Sequence, residues 1–301
     1  MAIAPDSKYL DRRSLARLAH MRFRTNHRVE GSYGGRHQSR QQGGAGEFVD
    51  FREYSGGEDL RRLDWKVLAR TGKAFVRLHQ EETNLVCTLA IDGSGSMDFA
   101  GITSTGNSKL QYAQYLATSL AYIIGLGQDQ VGFAALGEKL VDYLPPGGSP
   151  QHLSHVIERI ECLKTRPTVR SGPALRDLFE RTTRRGVLMF LSDFLMEDLE
   201  ETIAALRLFR HRGIEVIALH LVHPDEESLP REGSFQFVGL ENEGALNCSP
   251  EEIWSAYHER FSAYLTMVRQ MALAAGCDYR RVSTSLPYLD SLGEFLVERA
   301  G

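Results

Sequence analysis

Residues 85–101 read LVCTLAIDGSGSMDFAG and join an apolar run directly to an acid, two glycines and two serines. The run at 85–91 is short and rich in aliphatic residues, which is typical of a strand buried on both faces. Asp92, Ser94 and Ser96 follow at alternate positions, and the glycines between them let the backbone curl. The stretch therefore predicts a buried strand that ends in converging oxygen-bearing side chains.

From this strand to residue 301, short apolar runs alternate with segments of helical period. That pattern predicts an α/β fold with a doubly wound, mostly parallel sheet and crossover helices. The predicted strands lie at residues 85–91, 130–135, 186–191, 213–221 and 279–282, and the predicted helices at 109–125, 150–163, 172–183, 196–211, 250–275 and 289–298. In such sheets ligands bind beyond the carboxyl ends of the strands.

The first eighty residues differ in composition, because the glycine-rich run EGSYGGRHQSRQQGGAGE precedes a stretch of mixed aromatic and charged residues. This is typical of loops and short strands without an independent core. We predict an N-terminal segment at 1–80 that packs on a main domain at 81–301. Phe48, Phe51, Tyr54 and Trp65 are expected to be buried in that contact.

The overall composition narrows the classes of function. A net charge of −4 and a pI near 6.2 give no general reason to expect a nucleic-acid or anionic-membrane partner. Four cysteines without a C-x-x-C pair predict reduced thiols in the cytoplasm. The sequence opens without the pattern of an export signal, and its most apolar helix is too short to span a membrane.

Two other patterns suggest functions that the sequence does not favour. Arginine, lysine and tryptophan at 61–70 could form a nucleic-acid surface, but acids lie between them and favour local ion pairs. The histidine pairs at 152 and 155 and at 220 and 223 lack a clear third zinc ligand nearby. Buried or solvated histidines are the simpler interpretation.

A second acid, Asp193, follows the apolar run GVLMFLS, as Asp92 follows LVCTLAI. Both acids are therefore expected at the same edge of a parallel sheet. Carboxylate and hydroxyl oxygens are the ligands that Mg²⁺ prefers, and soft sulfur ligands are missing from the motif. The predicted cofactor is Mg²⁺, with Mn²⁺ or Ca²⁺ as alternatives.

The motif DGSGSM resembles the D-x-S-x-S motif of the von Willebrand factor A (vWA) fold, whose metal-ion-dependent adhesion site holds Mg²⁺. The resemblance implies a site made of Asp92, Ser94, Ser96, a threonine from a later loop and Asp193. Thr168 in RPTVRSGPAL is the candidate threonine, although it lies one residue upstream of the usual position. Ser171 is the alternative.

Residues 35–82 resemble the signature region of the bacterial domain-of-unknown-function family fifty-eight, with Glu58 where that family commonly has Asp. The resemblance implies a binding subunit, not an enzyme, that works with a MoxR-type AAA+ ATPase. Its protein partner would supply a Glu or Asp carboxylate to the metal. The alternative is a metal-dependent hydrolase or phosphatase using Asp92 and Asp193, although the sequence has neither a G-x-S-x-G nor a Walker motif around these residues.

Overall fold

A computed structural model gives the fold of the chain. It describes residues 7–11, 15–16, 23–25, 37–43, 47–55, 63–83, 85–102, 106–167, 169–182, 186–229, 235–241 and 244–300. The chain divides into two compact units, of which the larger comprises residues 1–24 and 86–301 and the smaller residues 25–85.

Strands and helices alternate along most of the described chain. The strands are β1 (His37–Gly43), β2 (Glu47–Glu53), β3 (Phe75–Thr83), β4 (Val86–Asp92), β5 (Gln130–Leu136), β6 (Leu140–Gly147), β7 (Val187–Ser192), β8 (Glu215–Val222), β9 (Phe235–Val238), β10 (Ala245–Cys248) and β11 (Asp278–Ser283). The helices are α1 (Trp65–Thr71), α2 (Lys109–Leu126), α3 (Pro150–Cys162), α4 (Ser171–Arg181), α5 (Leu199–His211), α6 (Pro224–Glu227), α7 (Pro250–Ala274) and α8 (Tyr288–Ala300), with a 3₁₀ helix at Gly95–Asp98.

The larger unit is built on a six-stranded sheet in the order β11-β8-β7-β4-β5-β6. All neighbouring strands are parallel except β5 and β6, which pair antiparallel. The strand β7 is buried along its whole length, as its uninterrupted apolar sequence predicts. The predicted fold class, a doubly wound and mostly parallel α/β sheet, is confirmed.

Helix starts in this unit follow local capping chemistry. Ser108 and Gln111 form a capping box at the start of α2, in which each side chain binds the backbone of the other. Ser149 caps α3, and Pro150 follows at its first position. These signals mark the starts of α2 and α3, which were predicted at the observed residues. The other ends of the predicted strands and helices of this unit differ from the observed ones by at most three residues.

The edge strand β6 was not predicted. Its sequence LVDYLPPG shows no regular alternation in burial and contains Pro145 and Pro146. Val131 of β5 pairs with Gly147 and Phe133 with Leu144, so the two prolines lie in an irregular part of the ladder. Proline is tolerated there because an edge strand with a bulge does not need every N–H group.

Residues 7–24 lie in the larger unit, so the structure divides the chain differently from the predicted boundary at residue 80. The Tyr9 ring meets the Tyr115 ring edge-on at 4.8 Å between centroids. The Phe23 ring stacks on the Phe295 ring at 6.0 Å. Apolar side chains near the N-terminus therefore complete the core of the sheet unit.

The smaller unit contains an antiparallel sheet in the order β1-β3-β2 and the helix α1. Asp64 caps α1 by accepting the N–H groups of Lys66 and Val67 at 2.9 and 3.1 Å. Trp65 exposes 60% of its surface. The side chains of Phe48 and Phe51 lie outside the described part of the structure. The packing of this segment on the main domain stays a prediction.

No helix in the described ranges is long and apolar enough to cross a membrane.

Candidate metal centre at the carboxyl ends of the strands

Asp92 ends β4, and its side chain is fully buried. One carboxylate oxygen accepts the Ser94 N–H group at 2.9 Å, and the other accepts the Ser192 hydroxyl at 2.6 Å. Ser192 is the last residue of β7, the strand next to β4. The carboxylate is therefore fixed between the ends of two neighbouring parallel strands.

The two serines of the motif lie side by side. The Ser94 and Ser96 hydroxyl oxygens are 3.0 Å apart. In an octahedral Mg²⁺ site with metal–oxygen distances of about 2.0 to 2.1 Å, neighbouring ligand oxygens are about 3.0 Å apart. The hydroxyl spacing therefore fits two adjacent ligands of one ion.

The glycines of the motif are required by close packing. Neither Gly93 nor Gly95 is among the residues with positive φ, so their role differs from the free backbone curl expected from the sequence. A Cβ atom on Gly93 would lie 2.9 Å from the Leu136 carbonyl oxygen, and one on Gly95 would lie 2.4 Å from the Leu240 carbonyl oxygen. The motif loop is thus enclosed by backbone from two sides.

Asp193 follows β7 and is bound to a lysine. One carboxylate oxygen accepts the Leu195 N–H group at 3.0 Å, and the other lies 2.6 Å from the Lys109 ammonium. Lys109 also forms an ion pair with Glu226 and is fully buried. Burial alone would lower the pKa of Lys109, but the two carboxylates outweigh burial and raise this pKa, so the ammonium stays charged.

The charge of Asp193 also acts on Asp92. Burial first, and the nearby Asp193 carboxylate second, raise the pKa of Asp92 to about 7, although the hydrogen bonds from Ser192 and Ser94 oppose the rise. Burial disfavours any charge, whereas the contribution from the Asp193 carboxylate is negative potential that a cation bound beside Asp92 would offset. Of the two acids, only Asp193 has the resident cation Lys109 as a direct partner.

The loop predicted to supply the threonine lies beside the motif. The Arg166 N–H group donates to the Gly93 carbonyl at 2.8 Å. Thr168 lies outside the described residues. Ser171, the alternative, is buried, and its hydroxyl has no hydrogen-bond partner in the described part of the chain. A buried hydroxyl without a partner fits a donor set that is completed by an ion or water.

One histidine of each pair is engaged in another contact. The His152 ring nitrogen lies 2.8 Å from the Val131 carbonyl, and the His220 ring lies 2.7 Å from the Tyr279 hydroxyl. Burial lowers the pKa of His220 to about 4. Among the described residues, no group of three or more His, Cys, Asp and Glu side chains is placed to hold a metal. The described residues therefore give no support for a zinc site, whereas the spacing of the Ser94 and Ser96 hydroxyls is compatible with Mg²⁺.

Four residues around the motif were not found from the sequence: Lys109, Ser192, Glu226 and Glu241. The sequence did carry a signal for Lys109. A cation at the first position of a helix is unfavourable beside the positive end of the helix dipole, which indicates a compensating acid nearby. Ser192 directly precedes the predicted ligand Asp193. Glu226 and Glu241 carry no local signal, since only the tertiary fold brings them to the motif.

Solved structures with similar architecture were found at low sequence identity. BatB from Bacteroides thetaiotaomicron is 20% identical, with a TM-score of 0.46 over 72% of this chain and 99% of that chain. The vWA domain of SpRpn10 is 12% identical, with a TM-score of 0.40 over 70% of this chain and 95% of that chain. At these scores the likeness carries no inference about function.

Sequence relatives occur in mycobacteria. Uncharacterized proteins of Mycobacterium tuberculosis and Mycobacterium bovis are each 27% identical over 231 residues, which cover 74% of this chain and 69% of each relative. The family model described as "Protein of unknown function DUF58" matches residues 50–264, which is more than half of the chain. The chain therefore belongs to the DUF58 family.

Proposed function

We propose that this protein is a Mg²⁺-dependent protein-binding adaptor whose metal site is formed by Asp92, Ser94 and Ser96, with Asp193 nearby. The observation that carries the proposal is the pair of serine hydroxyls 3.0 Å apart beside a buried carboxylate. When bound, Mg²⁺ would supply a positive centre that accepts an external carboxylate. The threonine or serine at 168 or 171 would add a further ligand.

The geometry favours binding over catalysis. A hydrolase or phosphatase would need Asp92 or Asp193 as a nucleophile or base. Both oxygens of Asp92 already accept hydrogen bonds, and Asp193 is held by Leu195 and Lys109. Carboxylates held in this way orient a loop and attract a cation. We therefore assign a binding role and no catalytic residue.

The first prediction is stabilisation by the metal alone. At a hundredfold excess over its Kd, Mg²⁺ or Mn²⁺ is expected to raise the free energy of unfolding by about 2.7 kcal/mol, because the ion binds only the folded state. Ser96→Ala should remove most of this gain, whereas Ser255→Ala, on the exposed side of α7, should retain it. Thermal unfolding with the ion and with EDTA measures the difference.

Ser96 is a cleaner target than Asp92. Alanine at position 92 would leave the Ser94 N–H group and the Ser192 hydroxyl buried without their acceptor. Each such loss destabilises a protein by about 1–3 kcal/mol. An identical melting temperature of the wild type with Mg²⁺ and with EDTA, at ion concentrations well above millimolar, would contradict the metal site.

The second prediction concerns the partner. We propose a MoxR-type AAA+ ATPase, on the basis of the family resemblance, with a Glu or Asp side chain that completes the coordination of the ion. Binding of the purified ATPase is expected to be lost in EDTA and in Ser96→Ala, and to be retained in Ser255→Ala. Surface plasmon resonance in Mg²⁺ measures this, and binding that is indifferent to both EDTA and Ser96→Ala would exclude a bridging metal.

A further inference from the structure

A short hairpin of this chain covers the serine loop. It is formed by β9 and β10, which pair only with each other in the described structure. Its connecting segment brings the Glu241 carboxylate to 3.1 Å from the Ser96 N–H group, which donates to it. The Leu240 carbonyl oxygen lies so close to Gly95 that a Cβ atom there would be 2.4 Å away.

The hairpin therefore places an acid of the chain itself at the candidate metal site. Ser96 contributes both the N–H group that Glu241 accepts and the hydroxyl that pairs with Ser94. The carboxylate thus binds the backbone of a proposed metal ligand. A carboxylate is also the group that the proposed function requires from a partner protein.

The hairpin is built to be displaced at low energetic cost. Each strand has four residues, and a two-stranded hairpin is marginally stable by itself. Val238 and Leu246 expose 63% and 64% of their surfaces. Beneath the hairpin lies a groove of about 590 Å³, lined on one side by Phe235 and Phe237 and on another by Ile253 and Tyr257 of α7. Elements with few buried contacts open locally more easily than the core.

We propose that Glu241 is an internal ligand of the site, and that the hairpin strands β9 and β10 must move aside before a partner carboxylate can bind. This inference rests on the proposed function and adds its regulation: the chain competes with its own partner. The competing explanation is that Glu241 only caps the 3₁₀ helix at Gly95–Asp98. A cap would affect stability and leave the coordination of a bound ion unchanged.

Coordination can be measured with Mn²⁺ alone, which replaces Mg²⁺ and reports its water ligands through line broadening by H₂¹⁷O in electron paramagnetic resonance. The full chain is compared with Glu241→Ala and with Glu197→Ala, which removes an exposed acid four residues after Asp193. Bound Mn²⁺ is expected to gain one water in Glu241→Ala and none in Glu197→Ala. Hydrogen exchange of the hairpin amides should slow when Mn²⁺ binds the wild type and should not slow in Glu241→Ala.

The outcomes separate the two proposals. Equal water counts in the wild type and Glu241→Ala, with Mn²⁺ bound to both, would show that Glu241 is not a metal ligand. The proposed metal site itself would still be supported. Failure of Mn²⁺ to bind either protein would overturn the proposed function and this inference with it. A gain of one water in both alanine variants would show a general loss of negative charge and would also overturn the assignment of Glu241.

Discussion

Replacing Lys109 by methionine is expected to lower the free energy of unfolding by about 3–5 kcal/mol, because removing one partner of a buried ion pair leaves an uncompensated charge. Lys109 is fully buried between Asp193 and Glu226. Methionine has a similar length and an apolar end, so the loss reports the charge more than the packing. Urea unfolding of the metal-free protein at neutral pH measures the change.

The matched control is Lys139→Met, which removes an exposed lysine and should change stability by less than about 0.5 kcal/mol. Adding Asp193→Asn to Lys109→Met should recover part of the loss, since one of the two stranded acids is then neutral. If Lys109→Met were as stable as Lys139→Met, the Lys109 ammonium would not be stabilising the folded protein through its ion pairs with Asp193 and Glu226.

Truncating Phe194 to alanine is the second substitution with a large expected effect, a loss of about 3–5 kcal/mol from the cavity left in the core. The ring is fully buried, 5.3 Å from the Phe190 ring and 5.1 Å from the His220 ring between centroids. Phe194 also has a φ of 55°, a left-handed backbone that costs roughly 1–2 kcal/mol for residues other than glycine.

The left-handed backbone at Phe194 can be tested by comparing the stabilities of the glycine and alanine variants, because the usual order of these two substitutions should be reversed. Glycine normally destabilises a regular structure by roughly 0.5–1 kcal/mol more than alanine does. At position 194 we expect Phe194→Gly to be at least as stable as Phe194→Ala in urea unfolding, since both variants lose the ring but only glycine relieves the strain. If glycine were the worse substitution by about 1 kcal/mol, the left-handed conformation would be wrong.

The turn at Phe194 connects stability with the site. Its N–H group donates to the Ser192 hydroxyl at 2.9 Å, and its carbonyl accepts a hydrogen bond from the Tyr264 hydroxyl of α7. The residue before it is Asp193. A strained backbone persists only when surrounding contacts hold it, so the buried ring and these two hydrogen bonds together stabilise the turn that follows Asp193.

The sequence could predict which residues meet at the centre of the candidate site, because their arrangement is mostly local. Asp92, Ser94 and Ser96 are close in sequence, and Asp193 shares the sheet edge with Asp92 because β4 and β7 are parallel neighbours. The alternation of buried strands and helices likewise predicted the sheet. Both inferences depend on periodicity and strand direction, which sequence patterns carry well.

The remaining parts depend on distant elements and could not be predicted. Lys109 reaches Asp193 from the start of a helix, and Glu226 reaches Lys109 from the four-residue helix α6. Glu241 lies 145 positions from Ser96. The strands FQFV and ALNC are too short to show a period, so the hairpin that carries Glu241 was not anticipated. Charged side chains from such elements can be placed beside the motif only with the tertiary structure.

The two prolines of β6 have a consequence for encounters between copies of the chain. An open sheet presents its outermost strand as a template on which a strand from another molecule can add, the usual first step of edge-to-edge aggregation. Pro145 and Pro146 bring no N–H donors to this edge, and the adjacent irregular pairing bends it away from a straight ladder. A strand from another molecule would lack some of its backbone hydrogen-bond partners along β6, so this edge of the sheet is protected from intermolecular strand addition.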